Sequence, residues 1–279
     1  MDSMTTASVQ HLEWPFEESI IVTLDFECDY GTALSENTFQ AVDHVETLIE
    51  ILERLDVPLT AFVQTELLTE RPEVVEELRN CSVDVRFHPH SHTHRPRDET
   101  SIQQEITDST REFESFFGHR PSGYRLPNGN IRESDYQYLA DAGYNFDASL
   151  FPSWRPNHFN NTAAPTDPHY LPEHDLVEIP FTVYSSVLRI PTALSYCRLL
   201  GRPFTQLLTR RPPSVVIFNI HMHDLVNPAS FAELSTFYKS IYSRNDDGFA
   251  MFESILRQFA QRGYTFRTVN DAYDEFVVE

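Results

Sequence analysis

The chain has 279 residues, with 42 acidic side chains against 21 basic ones, a formal net charge of -21 and a pI near 4.8. That balance excludes DNA, RNA or an anionic lipid surface as a natural partner, because like charges repel and no basic run is present to displace counterions. An apolar share of 41% is too high for a disordered acidic chain, and no apolar run approaches the roughly 20 residues that span a bilayer.

Apolar runs alternate with helical patterns along the chain. Residues 20–26 form a β-branched run that reads as a buried strand. Residues 39–55 repeat apolar side chains at Val42, Val45, Leu48, Ile49, Leu52 and Leu55, one face of a helix. Strand 58–64, helix 72–79 and strand 83–87 follow, the last running into a histidine cluster. Residues 100–117 read as a helix with Ile102, Ile106, Phe113 and Phe116 inward. Residues 123–125 are short and extended, 133–142 a helix closed by Gly143, and 144–149 a strand. Strands are expected at 177–181, 215–221 and 264–269, and helices at 229–242 and 250–261. This alternation predicts a parallel α/β domain with its chemistry at the C-terminal ends of the strands. No composition shift marks a second domain, so one domain over 1–279 is expected, with its core about 20–269. Residues 153–175, rich in Pro, Asn and His, read as an irregular lid or rim.

Of the basic residues only Lys239 is a lysine, which makes covalent lysine chemistry improbable. An acidic, arginine-based surface suits a salt-rich cytoplasm, and we expect salt adaptation. Three cysteines, Cys28, Cys81 and Cys197, without a CxxC spacing, argue against a disulfide framework or a cysteine zinc site. Residues 1–13 are polar and lack the pattern of a signal peptide, so a cytoplasmic location is expected.

Polar clusters fall at the predicted strand ends. His88, His90, His92 and His94 lie within seven residues; His90 and His94, four apart, would share one side of a helical turn and could share a metal. Asp25, Glu27 and Asp29 are spaced to point to one side of a strand, where three carboxylates repel unless a cation or proton sits among them. His221 ends an apolar strand in Asn219-Ile220-His221-Met222-His223-Asp224, and reads as an acid/base rather than a ligand. Arg125 could clamp a carboxylate and Asp147 could orient a histidine.

In this order, the five segments resemble the polysaccharide deacetylase family, whose shared unit is the NodB homology domain. The resemblance spans about 20–269. Its most specific match is His90-Ser91-x-x-His94, the family's metal-binding histidine motif, followed by Arg125-x-Pro127-x-Gly129, Asp147-x-Ser149-x-x-Pro152 and Ile220-His221. It implies a distorted (β/α) barrel of about seven parallel strands, a divalent metal (Zn2+ first, with Co2+, Ni2+ or Fe2+ possible) and removal of acetyl groups from N-acetylated sugars. The family's usual first motif has two adjacent aspartates, whereas Asp25 is followed by Phe26, Glu27, Cys28 and Asp29, a form similar to an Asp-x-Asp or Asp-x-Glu variant. Asp25 aligns with the catalytic base. The metal carboxylate is Glu27 or Asp29, with Glu27 favoured by its i,i+2 spacing from Asp25.

The resemblance implies that His90, His94 and a carboxylate hold the metal and that Asp25, held by Arg125, takes the water's proton. His221, oriented by Asp147, protonates the leaving amine. Tyr124, Pro127 and Trp154 are candidate substrate contacts, and Phe151 and Tyr170 could join Trp154 in an aromatic platform. His88, His92 and His223 are expected to support the site. Two alternatives stand beside the sugar reading: a hydrolase of a small cyclic amide or ureide, and a non-catalytic, metal-containing glycan-binding protein.

Overall fold

A computed structural model describes residues 9–155, 159–243 and 247–276. Eight parallel strands build it: β1 Ser19–Phe26, β2 Leu59–Val63, β3 Val85–Pro89, β4 Gly123–Tyr124, β5 Phe146–Asp147, β6 Leu176–Glu178, β7 Val215–His221 and β8 Thr265–Arg267. β1 is the axis of one sheet. β7 pairs with it from Ser19 to Asp25, while its other edge is shared between β8, at Ser19 to Ile21, and β2, at Thr23 to Phe26. β3 lies beyond β2. The second sheet holds β4, β5 and β6 and continues antiparallel through His169–Leu171 and Gln10–His11.

The sheets curl toward each other and are joined by a few bonds on each side. Arg125 N donates to Pro89 O at 3.2 Å, and on the far side Ile217 N donates to Thr182 Oγ1 at 2.8 Å. A barrel closed this way is the expected distorted (β/α) barrel, with eight parallel strands where the sequence suggested about seven.

The two-residue period of β1 sorts its side chains. Ile20, Val22, Leu24 and Phe26 face outward into the main core, against residues such as Leu48, Leu52, Phe252 and Phe259 from the surrounding helices. Ile21, Thr23 and Asp25 face the barrel interior. Ile21, Ile217, Phe146 and Val177 plug the bottom, while Phe62 pairs with Asp25 higher up. Thr23 and Asn219 form the next layer and Asp25 and His221 the top, each pair being register partners of β1 and β7. A dry floor thus supports a polar upper layer at the C-terminal rim.

Several expected elements differ. The predicted helix 229–242 is split into a 3-10 turn, Ala229–Glu233, and a helix, Thr236–Tyr242, because Ser235 is extended and caps Tyr238 N. The strand expected over 264–269 stops at Arg267; Thr268 and Asp271 exchange capping bonds and a helix, Val269–Phe276, begins. Two helices, Leu194–Leu200 and Arg202–Arg210, had no counterpart in the sequence reading. In the 153–175 excursion Trp154–Arg155 pairs with Phe159–Asn160, and 156–158 lie outside the described residues. No helix among the described residues is long and apolar enough to cross a membrane.

Candidate active site

The C-terminal ends of β1, β3 and β7 bring the carboxylates and imidazoles together. Glu27 Oε2 lies 3.0 Å from His90 Nε2 and 2.6 Å from His94 Nε2. All three side chains are buried, and their ligand atoms lie within 4.8 Å of one another. His90 and His94 reach this point from a loop rather than the expected helical turn, since Ser91 and His94 both have positive φ. Glu105 of the helix Ile102–Phe117 holds the loop: its carboxylate accepts from Ser91 Oγ (2.5 Å), His92 N (2.9 Å), Thr93 N (2.8 Å) and Thr93 Oγ1 (2.6 Å). Gly31 gives His94 its room, since a Cβ there would come within 2.9 Å of the ring.

Asp25 sits beside this group. Arg125 Nη1 donates to its Oδ1 at 2.8 Å and Asn219 Nδ2 to its Oδ2 at 3.1 Å. Arg125 lies inside the barrel between the rings of Phe62 and Phe181, 3.9 and 4.3 Å from their centroids, and also donates to Thr23 Oγ1, Asn219 Oδ1 and Ala148 O. Burial opposes a charge on Asp25, but Arg125, His90 and His221 outweigh it and hold the carboxyl well below its ordinary range.

His221 Nε2 is 3.4 Å from Asp25 Oδ2, and its Nδ1 is 2.8 Å from Asp224 Oδ2. Burial works against an imidazolium, yet Asp224, with Asp25 and Glu27 beyond, raises the pKa well above the usual histidine range. The expected partner, Asp147, is elsewhere: it accepts from Ser149 Oγ (2.6 Å) and Ser149 N (3.0 Å) and pairs with Glu178 across β5 and β6. Both His221 nitrogens face other carboxylates, so Asp224 takes the orienting position assigned to Asp147. The signal was present as His221-x-x-Asp224, a helix-start capping pattern, with Asp224 Oδ2 also accepting from His221 N.

Asp29 points away from the group. Its oxygens accept from Thr38 Oγ1, Gln40 N, Ala41 N and Ser230 Oγ, which tie down the segment after β1. Tyr124 is core, fully buried with its hydroxyl 3.0 Å from Ser109 Oγ, so it is no substrate contact. His88 accepts from Gly123 N and faces Asn270; burial lowers its pKa to about 4. His92 bonds Thr65 and His223 accepts from Tyr30 N.

Above these groups opens a cavity of about 530 Å³. Trp154, 59% exposed, and Phe237, 67% exposed, stand on its rim, and Phe151 and Phe181 line its wall. Tyr170 is not among its lining residues, and Pro127 lines a neighbouring cleft. Asn219, Asp224, Glu105 and Phe237 carried no assigned role in the sequence reading.

The barrel carries a buried carboxylate–imidazole group, Glu27, His90 and His94, that could hold a metal ion at its C-terminal rim. Residues 20–146 match the family model of polysaccharide deacetylase. A probable polysaccharide deacetylase from Pseudomonas aeruginosa is similar in structure at TM-score 0.63 and 15% identity, covering 95% of this chain and 93% of its own. A Mycobacterium smegmatis protein described as a polysaccharide deacetylase gives 0.60 and 16%, covering 95% and 92%. The PuuE allantoinase gives 0.60 and 13%, covering 95% and 93%. At these identities the likeness is one of fold. No curated protein matches the sequence significantly.

Proposed function

We propose that the protein is a metal-dependent hydrolase that removes acetyl groups from N-acetylated sugars of a polysaccharide or glycan. The observation that carries this reading is the grouping of Glu27, His90 and His94 beside Asp25, itself held by Arg125 and Asn219, on the floor of an open, aromatic-rimmed cavity. The three donors suit a divalent ion. One buried carboxylate oxygen already faces two Nε2 atoms, both Nδ1 atoms are buried without a partner, and two imidazoles with one carboxylate form a His₂Glu set typical of zinc. When bound there, the ion would polarise the amide carbonyl and acidify water.

The chain's own groups supply the rest. Asp25 takes the proton of the attacking water at Oδ2, because Arg125 and Asn219 fix the carboxylate and keep it charged. Water oxygen adds to the carbonyl carbon and the C–N bond breaks. His221 Nε2 gives its proton to the departing nitrogen, while Asp224 holds the ring and its charge. Acetate and a free amine leave. An acidic protein accommodates the resulting ammonium group.

A rim with two exposed aromatic rings suits sugar faces better than a small cyclic ureide, which an enclosed pocket would hold. We also read the lysine-poor acidic surface as salt-adapted. The test is metal analysis of the purified protein, then an acetate-release screen in molar salt over N-acetylated oligosaccharides, with allantoin as the ureide control. Acetate release at one divalent ion per chain is expected. Fully metal-loaded protein that releases no acetate from any sugar would overturn the reading.

A further inference from the structure

The loop wall that carries Leu126 and Asn128 has a second side. A cleft of about 510 Å³ lies there, and Thr32, Leu126 and Asn128 line both it and the catalytic cavity. Arg95, Arg97 and Arg132 line this cleft, against the carboxylates of Asp98 and Glu105. In a chain with twice as many acids as bases, three arginines beside two carboxylates form a local concentration of bases.

The five groups are not equivalent. Glu105 is consumed by the histidine loop, accepting the four bonds described above, so little of its acceptor capacity is left for a cationic ligand. Arg97 is fixed by two bonds to Asp135, at 2.8 and 2.9 Å, and a third to Asn130 O; its charge is already matched, and it stiffens the wall. Arg95 gives one bond, to Ser35 O at 2.9 Å. Among the described residues neither Arg95 nor Arg132 has a carboxylate within ion-pair distance. Arg95 and Arg132, without a carboxylate at ion-pair distance, therefore border, together with Asp98, a cleft that shares Thr32, Leu126 and Asn128 with the catalytic cavity. Their planar forks suit an oxyanion better than a neutral hydroxyl.

We propose that this cleft binds an oxyanion substituent, a carboxylate or a sulfate, on the sugar next to the one that loses its acetyl group. The inference rests on the glycan-deacetylase reading and names its substrate class, a glycan in which an acidic sugar adjoins the N-acetylated one. It agrees with the exclusion of nucleic acid: two guanidinium groups can hold one substituent but not a continuous polyanion.

The test uses the full metal-loaded chain and four probes: a hyaluronan tetrasaccharide, its carboxyl-reduced neutral counterpart, a sulfated chondroitin tetrasaccharide and chitotetraose. Binding is measured by calorimetry in the wild type and in the Arg95→Gln/Arg132→Gln variant; both side chains are exposed, so the fold should survive. We expect at least one anionic tetrasaccharide to bind tenfold or more tightly than the neutral one, with the preference weakening as salt rises. The double substitution should erase the preference and leave neutral binding unchanged. A larger gain for hyaluronan marks carboxylate as the ligand, and for chondroitin, sulfate. Equal binding of charged and neutral probes, or a preference that survives the double substitution, overturns the proposal. Acetate release from chitotetraose tests the parent reading separately. Turnover without anionic preference removes the subsite alone, whereas arginine-dependent preference without turnover of any probe removes the deacetylase reading and leaves the anion site.

Discussion

Asp25 and Glu27 on one sheet, and Asp147 and Glu178 on the other, are two pairs of buried carboxylates in opposite states. All four side chains are 6% exposed or less, and for each the largest influence is burial, which favours the neutral acid. Asp25 meets Arg125 and His221, Glu27 meets His90 and His94, and both carboxyls fall well below their ordinary range. Asp147 meets Glu178, its register neighbour, and accepts from the Ser149 hydroxyl and amide, while Glu178 accepts from the Tyr136 hydroxyl and Leu150 N. Both of these pKa values rise. Two like charges buried side by side repel, so this pair holds a proton to higher pH than free carboxyls do. The partner, not the depth of burial, decides whether a buried acid is an anion ready for chemistry or a neutral brace.

The comparison is broken most severely at Glu27. Glu27→Gln removes the anion that balances two imidazoles and a divalent ion. Bound metal should fall to background by elemental analysis, and acetate release should vanish with it. Asp25→Asn should separate base from ligand: metal stays, while kcat falls about 10²- to 10⁴-fold, the range for a lost general base. Retained metal with near-normal kcat would remove Asp25 from the mechanism. Asp224→Asn acts on the proton donor. Because Asp224 raises the pKa of His221, its loss should lower that pKa, so His221 gives up its proton at lower pH and the alkaline limb of the pH–rate profile moves toward acid. An unmoved limb would assign the acid role to another group.

The longer strands β1, β2 and β7 were legible because a β-branched run between turn residues has few alternative readings, whereas the two-residue β4 and β5 contain no β-branched side chain. The site was legible where its residues lie within one motif, as with His90 and His94 or Asp25 and Glu27. Partners set by register between distant strands were not. Thr23 with Asn219, and Asp25 with His221, become neighbours only when β1 and β7 pair without a slip. The sequence suggests Asp147 as the partner of His221, but the barrel places Asp224 against it and Asp147 against Glu178. Glu105 lies in an ordinary amphipathic helix, and only the loop folded over it reveals its use. The helices over 194–210 went unseen because Gly201 and Pro203 interrupt a short, mixed pattern; in the structure they begin the second helix.

The mildest test of the comparison is Glu178→Gln. Asp147 and Glu178 bind their shared proton at a pH where unfolded carboxyls, near 3.9 and 4.3, have lost theirs. Folded protein thus holds more protons than unfolded protein across that interval. The pair's contribution is complete below the unfolded pKa values and is lost as pH rises through the raised folded ones, by at most about 1.4 kcal/mol per pH unit for one proton. An amide at this position can donate to Asp147 while its oxygen still accepts from Leu150 N or Tyr136, so no proton is needed to keep the contact. Chemical denaturation from pH 4 to pH 9 should therefore show a wild-type stability that declines above the ordinary carboxylate range, and a variant with a flatter profile that overtakes it at the alkaline end. Acetate release should change little, since Glu178 touches none of the reacting groups. Parallel stability curves would mean that the pair shares no proton and that Arg125, on whose charge both acids also act, already neutralises it.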